Sequence, residues 1–381
     1  MHPWRHNARM LNWLFKQPPA DSPRLCLGLM SGTSLDGLDA CLAEYHTNGE
    51  LHILDTDSRA LSEEIHERLE RTIAPDASIK LAELLAIEAE YTAQVSAQCN
   101  MLIQRAPRPV DCIGFHGQTL WHAPELGNTL QIGMAEQLAA DTGTPVAHQF
   151  RRADMARGGQ GAPLAPLFHH AQFARETEGV GVLNLGGIAN LTELIPGQPV
   201  RGYDLGPANT LGDVWYRQHH SAPFDRDGAW AQTGTVDTVL LKSLKTDPFF
   251  AKAPPKSTGR EYFNLDWLNR YLVHHANLNA EDVQATLNQL TADIVADALS
   301  SEIDILVVAG GGVHNVDMMD RLDDQVDPLV VTSETFVIDP DFLEAACFAW
   351  LGMQCMDQHR LDTTHITGAR GTGILGSIAY P

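Results

Sequence analysis

No apolar run in this chain approaches the length of a bilayer span, and its six cysteines, at 26, 41, 99, 112, 347 and 355, contain no Cys-x-x-Cys pair. The first absence excludes a membrane-spanning helix. The second, with five of the thiols in apolar surroundings, points to reduced, mostly buried cysteines of a cytoplasmic protein. Basic residues are scarce: 26 Lys and Arg stand against 48 Asp and Glu, a formal charge of −22. Neither nucleic acid nor an anionic membrane is therefore expected as a main partner. The phosphate-binding G-x-x-x-x-G-K-[ST] loop is missing too. So is a secretory signal, because Met1 to Pro23 breaks its apolar residues with Asn7 and Asn12 and offers no small-residue cleavage site. We expect 1–23 to be an extension outside the fold. What remains is the composition of a soluble globular protein, 44% hydrophobic and 19% charged, and 381 residues suffice for two domains.

Two stretches share one design. Gly28 to Ala40 sits between the apolar runs Leu25–Met30 and Ala40–Tyr45 and reads as a strand-turn-strand hairpin. In its turn, Gly32 and Gly37 allow backbone N–H groups close to a phosphate. Thr33 and Ser34 add hydroxyls, and Asp36 and Asp39 can hold water around Mg²⁺. Val180 to Ile195 repeats the pattern, with Asn184, Gly186, Gly187 and Asn190 at its centre. Two such hairpins imply two related lobes, and turns that faced one another would hold a nucleotide's phosphates between them.

Between and beyond them lie elements that could complete a site. Lys80 to Arg105 and Glu281 to Leu299 show helical spacing of apolar residues. Asp111 to Phe115 reads as a short strand ending on His116-Gly117-Gln118-Thr119, which makes His116, Gln118 and Thr119 candidates for a polar ligand. Arg151, Arg152 and Arg157 concentrate positive charge beside the loop Gly158, Gly159 and Gly161, suited to an anion or a sugar. Asp204 is placed at a strand end before a Gly206-Pro207 turn and a helix starting near Asn209, where it would serve as a base or as a helix cap. Pro254 to Glu261 is a second basic loop. Gly310, Gly311 and Gly312 follow a buried strand and leave side-chain-free backbone for the adenosine end of a nucleotide. Glu344 opens the apolar helix Leu343–Met353.

In order, Met30 to Gly37, His116 to Thr119, Gly158 to Leu164, Asn184 to Asn190, Pro255 to Glu261 and Gly310 to Gly312 resemble the motifs of the anhydro-N-acetylmuramic acid kinases, from about Leu25 onward. The resemblance implies an α/β fold of two actin-like (ribonuclease H-like) domains, 24–150 plus 345–381 and 151–344, with a nucleotide cleft between them. It also implies an ATP- and Mg²⁺-dependent enzyme of peptidoglycan recycling. Such an enzyme converts 1,6-anhydro-N-acetylmuramic acid, ATP and water to N-acetylmuramic acid 6-phosphate and ADP. On this resemblance, Gly32, Thr33, Ser34, Leu35, Asp36, Gly37, Leu38 and Asp39 form the ATP-phosphate loop. Asn184, Gly186, Gly187, Gly206, Asn209 and the Gly310–Gly312 turn complete the ATP site, with Asp36 on Mg²⁺ through water. Asp204 matches the catalytic base, with Glu344 beside it, and His116, Gln118, Thr119 and Arg151 fall to the sugar.

Three positions depart from the family's pattern. Gln149 stands where Asp is usual before Phe-Arg, Leu205 where Thr follows the catalytic Asp, and Met134 where Asp is frequent. They suggest a changed sugar preference or weakened turnover. They also keep two alternatives open: an ATPase or phosphohydrolase of the actin-like superfamily, and a non-catalytic nucleotide- or muropeptide-binding regulator. The oligomeric state is left open, a homodimer included.

Overall fold

The computed structural model describes residues 23–32, 35, 37–46, 50–73, 77–254, 256–275 and 277–381. The first sheet starts as an antiparallel meander of β1 (Arg24–Ser31), β2 (Leu38–Tyr45) and β3 (Leu51–Arg59). Two further strands, β4 (Cys112–Ala123) and β6 (Val146–His148), join parallel to β1, while β5 (Asn128–Ile132) folds back on β4. The second sheet repeats this plan. Strands β7 (Val180–Leu185), β8 (Ile188–Leu194) and β9 (Arg201–Pro207) form the meander, and β10 (Ile305–Ala309) and β11 (Leu329–Thr332) lie parallel to β7's side of it. A short ladder of β12 (Leu361–Asp362) and β13 (Thr372–Gly373) follows. The chain closes with β14 (Ser377–Ala379), which pairs with β6. With β5 and β14 set aside, the two sheets share one order, β3-β2-β1-β4-β6 and β9-β8-β7-β10-β11.

The inner strands β1, β2, β7 and β10 are buried on both faces, so their side chains alternate between two cores, whereas the edge strands β3 and β11 are partly exposed. Leu25, Leu27 and Leu29 face helices α1 (Glu63–Ile73), α2 (Leu81–Arg105) and α3 (Ala135–Thr142), whereas Cys26 faces inward toward the second sheet. On α2, Ile87, Tyr91, Val95, Cys99 and Leu102 are fully buried at helical spacing, each burial contributing about 1.5–3 kcal/mol for the larger side chains. Short helices α4 (Phe150–Met155) and α5 (Ala165–Phe173) lead to the second sheet. Its far face is covered by α6 (Asn209–His219), α7 (Thr238–Leu244), α8 (Leu265–Leu272), α9 (Ala280–Ala298) and α10 (Val316–Gln325).

Helix α11 (Leu343–Met356) is apolar on all sides, which requires burial on all sides. It lies on β1, β2 and β4 and packs Phe348 and Trp350 into a core shared with Phe168 and Phe173 of α5 and Val180 and Val182 of β7. All six cysteines are buried, free thiols. Among the described residues no helix is long and apolar enough to cross a membrane.

Candidate active site

The turns β1–β2 and β7–β8 line one cleft of about 1120 Å³ between the two sheets. The first turn contributes Ser31, Gly32, Gly37 and Asp39, the second Asn184, Gly186, Gly187 and Asn190, and the turn after β10 adds Gly310 and Gly311. Gly310 has φ +82°, and a Cβ there would strike Asn184 Oδ1 and Leu185, so only glycine lets these turns meet. The N–H groups that open α6 are already used. Ala208 and Thr210 donate to Gly187 O, and Asn209 donates to Gly186 O with its backbone and to Leu185 O and Gly186 O with its side chain. Asn209 therefore fixes the second turn while also lining the cleft. Other residues named from the sequence lie off its wall: Leu35 and Leu38 are buried in the first core, Gly206 packs on Phe250 and Ile294, and Gly312 sits on Leu185. Thr33, Ser34 and Asp36, with the magnesium expectation on Asp36, lie outside the described residues.

Strand β4 does not stop at Phe115; it runs to Ala123 because β5 pairs with its second half. His116, Gln118 and Thr119 are thus mid-strand, at an irregularity where Gly117 has φ +77°. Gln118 is fully buried. It accepts from Ser31 Oγ and donates to Gly32 O at 3.2 Å, bracing the first turn. His116 Nδ1 lies 2.7 Å from Gly117 O, and Arg151 Nε donates to His116 Nε2 at 2.9 Å. The contacts require a neutral ring protonated on Nδ1. Burial, and then the Arg151 charge, hold its pKa well below the ordinary range, in keeping with that tautomer.

Arg151 also donates to Gly161 O at 3.1 Å. Glu344 opens onto the cleft with protein on its other sides. Burial raises its pKa, Arg151 lowers it and Asp39 raises it. Of the three arginines singled out, only Arg151 reaches the cleft. Arg152 donates to Thr129 O, and Arg157 turns toward Ile374 O.

Asp204 lies within β9 rather than at its end, since pairing with β8 continues to Pro207. It is not the cap of α6, whose N-cap is Ala208. Its Oδ2 accepts from Thr258 N–H at 2.9 Å, and its own N–H donates to Lys256 O, so the 256–261 loop closes over it. Burial pushes its carboxyl up to about 6, with Glu261 adding to the rise and the Thr258 bond and Lys256 opposing it. The group is thus ionised at neutral pH yet ready to take a proton. Trp121, Asp213, Thr258 and Arg260 also line the cleft and were missed as site residues. The basic loop carrying Thr258 and Arg260 was the available signal.

The three departures fall elsewhere. Leu205 points into the second core, opposite in strand phase to Asp204, so it removes no hydroxyl from the cleft. Met134 and Gln149 occupy the N-caps of α3 and α4, neither making a side-chain capping bond, and neither is part of the cleft wall. At φ +61°, position 149 suits Asp better than Gln. At Met134, where the cap backbone is extended, an Asp should add about 1 kcal/mol, while at 149 the gain comes from its better tolerance of the left-handed backbone. Met134→Asp and Gln149→Asp are accordingly expected to raise thermal stability with kcat unchanged, to be checked by melting curves beside steady-state rates.

Two copies of one five-stranded unit around a shared cleft make this an actin-like fold with two ribonuclease H-like domains. Within that class, the chain belongs to the anhydro-N-acetylmuramic acid kinase family, whose sequence model matches residues 24–381. It is 43% identical over 372 residues to the anhydro-N-acetylmuramic acid kinase of Xanthomonas axonopodis pv. citri, covering 95% of this chain and 99% of that one. To the enzyme of that name from Pseudomonas putida it is 40% identical, covering 94% and 99%. The ROK family glucokinase of Streptomyces griseus, solved with glucose and AMPPNP, is a more distant likeness: 14% identity, TM-score 0.40, 87% of this chain and 99% of that one. The chain is an enzyme, an ATP-using kinase.

Proposed function

We propose that this kinase phosphorylates O6 of 1,6-anhydro-N-acetylmuramic acid while water opens the anhydro ring, in the cytoplasm, as a step of peptidoglycan recycling. The observation that carries the reading is Asp204: a carboxylate in the shared cleft, one oxygen fixed by Thr258, its pKa raised to about 6. Its other oxygen takes a proton from water, whose oxygen bonds to C1. The C1–O6 bond breaks, its electron pair stays on O6, and O6 takes the γ-phosphoryl group as ADP leaves. Arg151, oriented by His116 and Gly161, donates to sugar oxygens, and Glu344 accepts from a sugar hydroxyl. In phosphoryl transfer such positioning and charge neutralisation supply most of the catalysis.

Among the described residues no three metal-ligating side chains cluster. Mg²⁺, if bound at the phosphates, would supply charge neutralisation there; Asp39 on the cleft wall and, from the sequence, Asp36 are the residues that would hold its water shell. The same reading divides the chain into domains 24–150 plus 345–381 and 151–344, supported by the seating of α11 on the first sheet.

The test is ADP release with Mg·ATP and the anhydro sugar, with the product weighed. A sugar-dependent signal and a product heavier by one HPO₃ and one water support the proposal. Sugar-independent ADP release would point to an ATPase, and tight binding without turnover to a regulator. If Asp204 is the base, kcat/KM rises with pH through about 6 and levels above it, since only the ionised form accepts the proton. His116 cannot supply that limb, because its own pKa lies well below the ordinary range. A profile flat through pH 6 would remove Asp204 from the role.

A further inference from the structure

We propose that Asp154, outside the cleft wall, is a positioning residue for sugar binding: it sets the 158–161 loop that holds Arg151. This rests on the reading of Arg151 as a sugar contact. Asp154 is fully buried at the end of α4, three residues after Arg151. Its Oδ1 accepts from Thr363 Oγ1 at 2.6 Å and Thr367 Oγ1 at 2.9 Å, and its Oδ2 accepts from Gly161 N–H at 2.8 Å. The carbonyl of the same Gly161 accepts from Arg151 Nη1 at 3.1 Å. One glycine is therefore gripped at its N–H by Asp154 and grips Arg151 with its oxygen. A Cβ on Gly159 would collide with the Asp154 carboxylate, so the loop's glycine is what lets it close on that group. Gln160 N–H to Thr367 O, 2.9 Å, and Arg370 N–H to Arg157 O, 2.9 Å, bind the loop to the C-terminal segment, so the whole arrangement is fixed from behind. A charge-assisted bond of this kind costs more to lose than a neutral one.

Asp154→Asn keeps the volume and an acceptor for the two threonines but loses the charge. It is expected to raise KM for the anhydro sugar about tenfold and leave KM for ATP within about twofold. In an Arg151→Lys background it should add almost nothing. A fall in kcat with both KM values unchanged, as a smaller folded fraction gives, would overturn the proposal, as would full additivity with Arg151→Lys. If Arg151→Lys leaves the sugar KM unchanged, the reading of Arg151 fails and this proposal with it. If Arg151→Lys raises it and Asp154→Asn does not, Asp154 alone is overturned. Should Asp154→Asn not fold, Thr363→Val removes one donor to the carboxylate, and it too is expected to raise the sugar KM, severalfold, at constant ATP KM. An unchanged sugar KM in that variant overturns the proposal.

Discussion

Asp204→Asn is expected to lose about 10²–10⁴ in kcat, the contribution of a positioned general base, with ATP binding intact. It is also expected to make the protein more stable. Folding moves this carboxyl from an ordinary 3.8 up to about 6, because burial and Glu261 disfavour the charge more than Thr258 and Lys256 favour it. The native state therefore binds the proton more tightly than the unfolded chain. Above about pH 6 the ionised group costs the fold on the order of 2–3 kcal/mol, and the cost disappears as pH falls toward 4. Asparagine carries no charge and can still accept from Thr258 N–H, so the variant's stability advantage should be largest near pH 8 and shrink on acidification. Melting curves across pH 4–8 beside ADP-release rates check both halves. Turnover at the parent level would end the base assignment. A stability difference that did not shrink in acid would show that the gain has another source than the buried charge. A residue held at a cost to the fold is what a catalytic site requires and a helix cap does not.

Asp204 illustrates what was legible in the sequence. The Gly-rich hairpins, the helices of 81–105 and 280–298 and the buried apolar strands follow from periodicity and turn chemistry alone. So does the duplication, because each turn carries its own glycines and polar residues. Less visible was anything set by partners distant in sequence. Strand β4 continues past Phe115 only because β5 returns along it, and β9 continues past Asp204 only because β8 does. The loop over Asp204 comes from Thr258, 54 residues away. Met134, Gln149 and Leu205 look like changes to the site until the backbone shows two of them at helix caps and the third in a core. With those side chains off the cleft wall, the departures supply no argument for a regulator without turnover.

The glycines that seat α11 were passed over in the sequence, and they lead to the second large expectation. Gly28 of β1, Gly114 of β4 and Gly352 of α11 bring backbone against backbone. A Cβ on Gly114 would fall on the carbonyl of Phe348, and one on Gly28 on that of Ala345, neither of which can swing aside as a side chain would. Gly114→Ala must therefore push α11 off the sheet, at a cost of about 3 kcal/mol or more. The helix carries Glu344 at its start, and Phe348 packs its ring 4.6 Å from His116, the partner of Arg151. Catalysis should fall along with stability, and the protein that remains folded should bind sugar poorly while still binding ATP. Gly311→Ala makes the opposite case. Nothing lies within 4 Å of its added methyl, and it faces the cleft, so it should leave the melting temperature alone and raise KM for ATP. Measured side by side, the two separate a glycine that packs the fold from one that leaves room for ligand. If Gly114→Ala melted at the parent temperature, the close seating of α11 would not be what holds Glu344 in place.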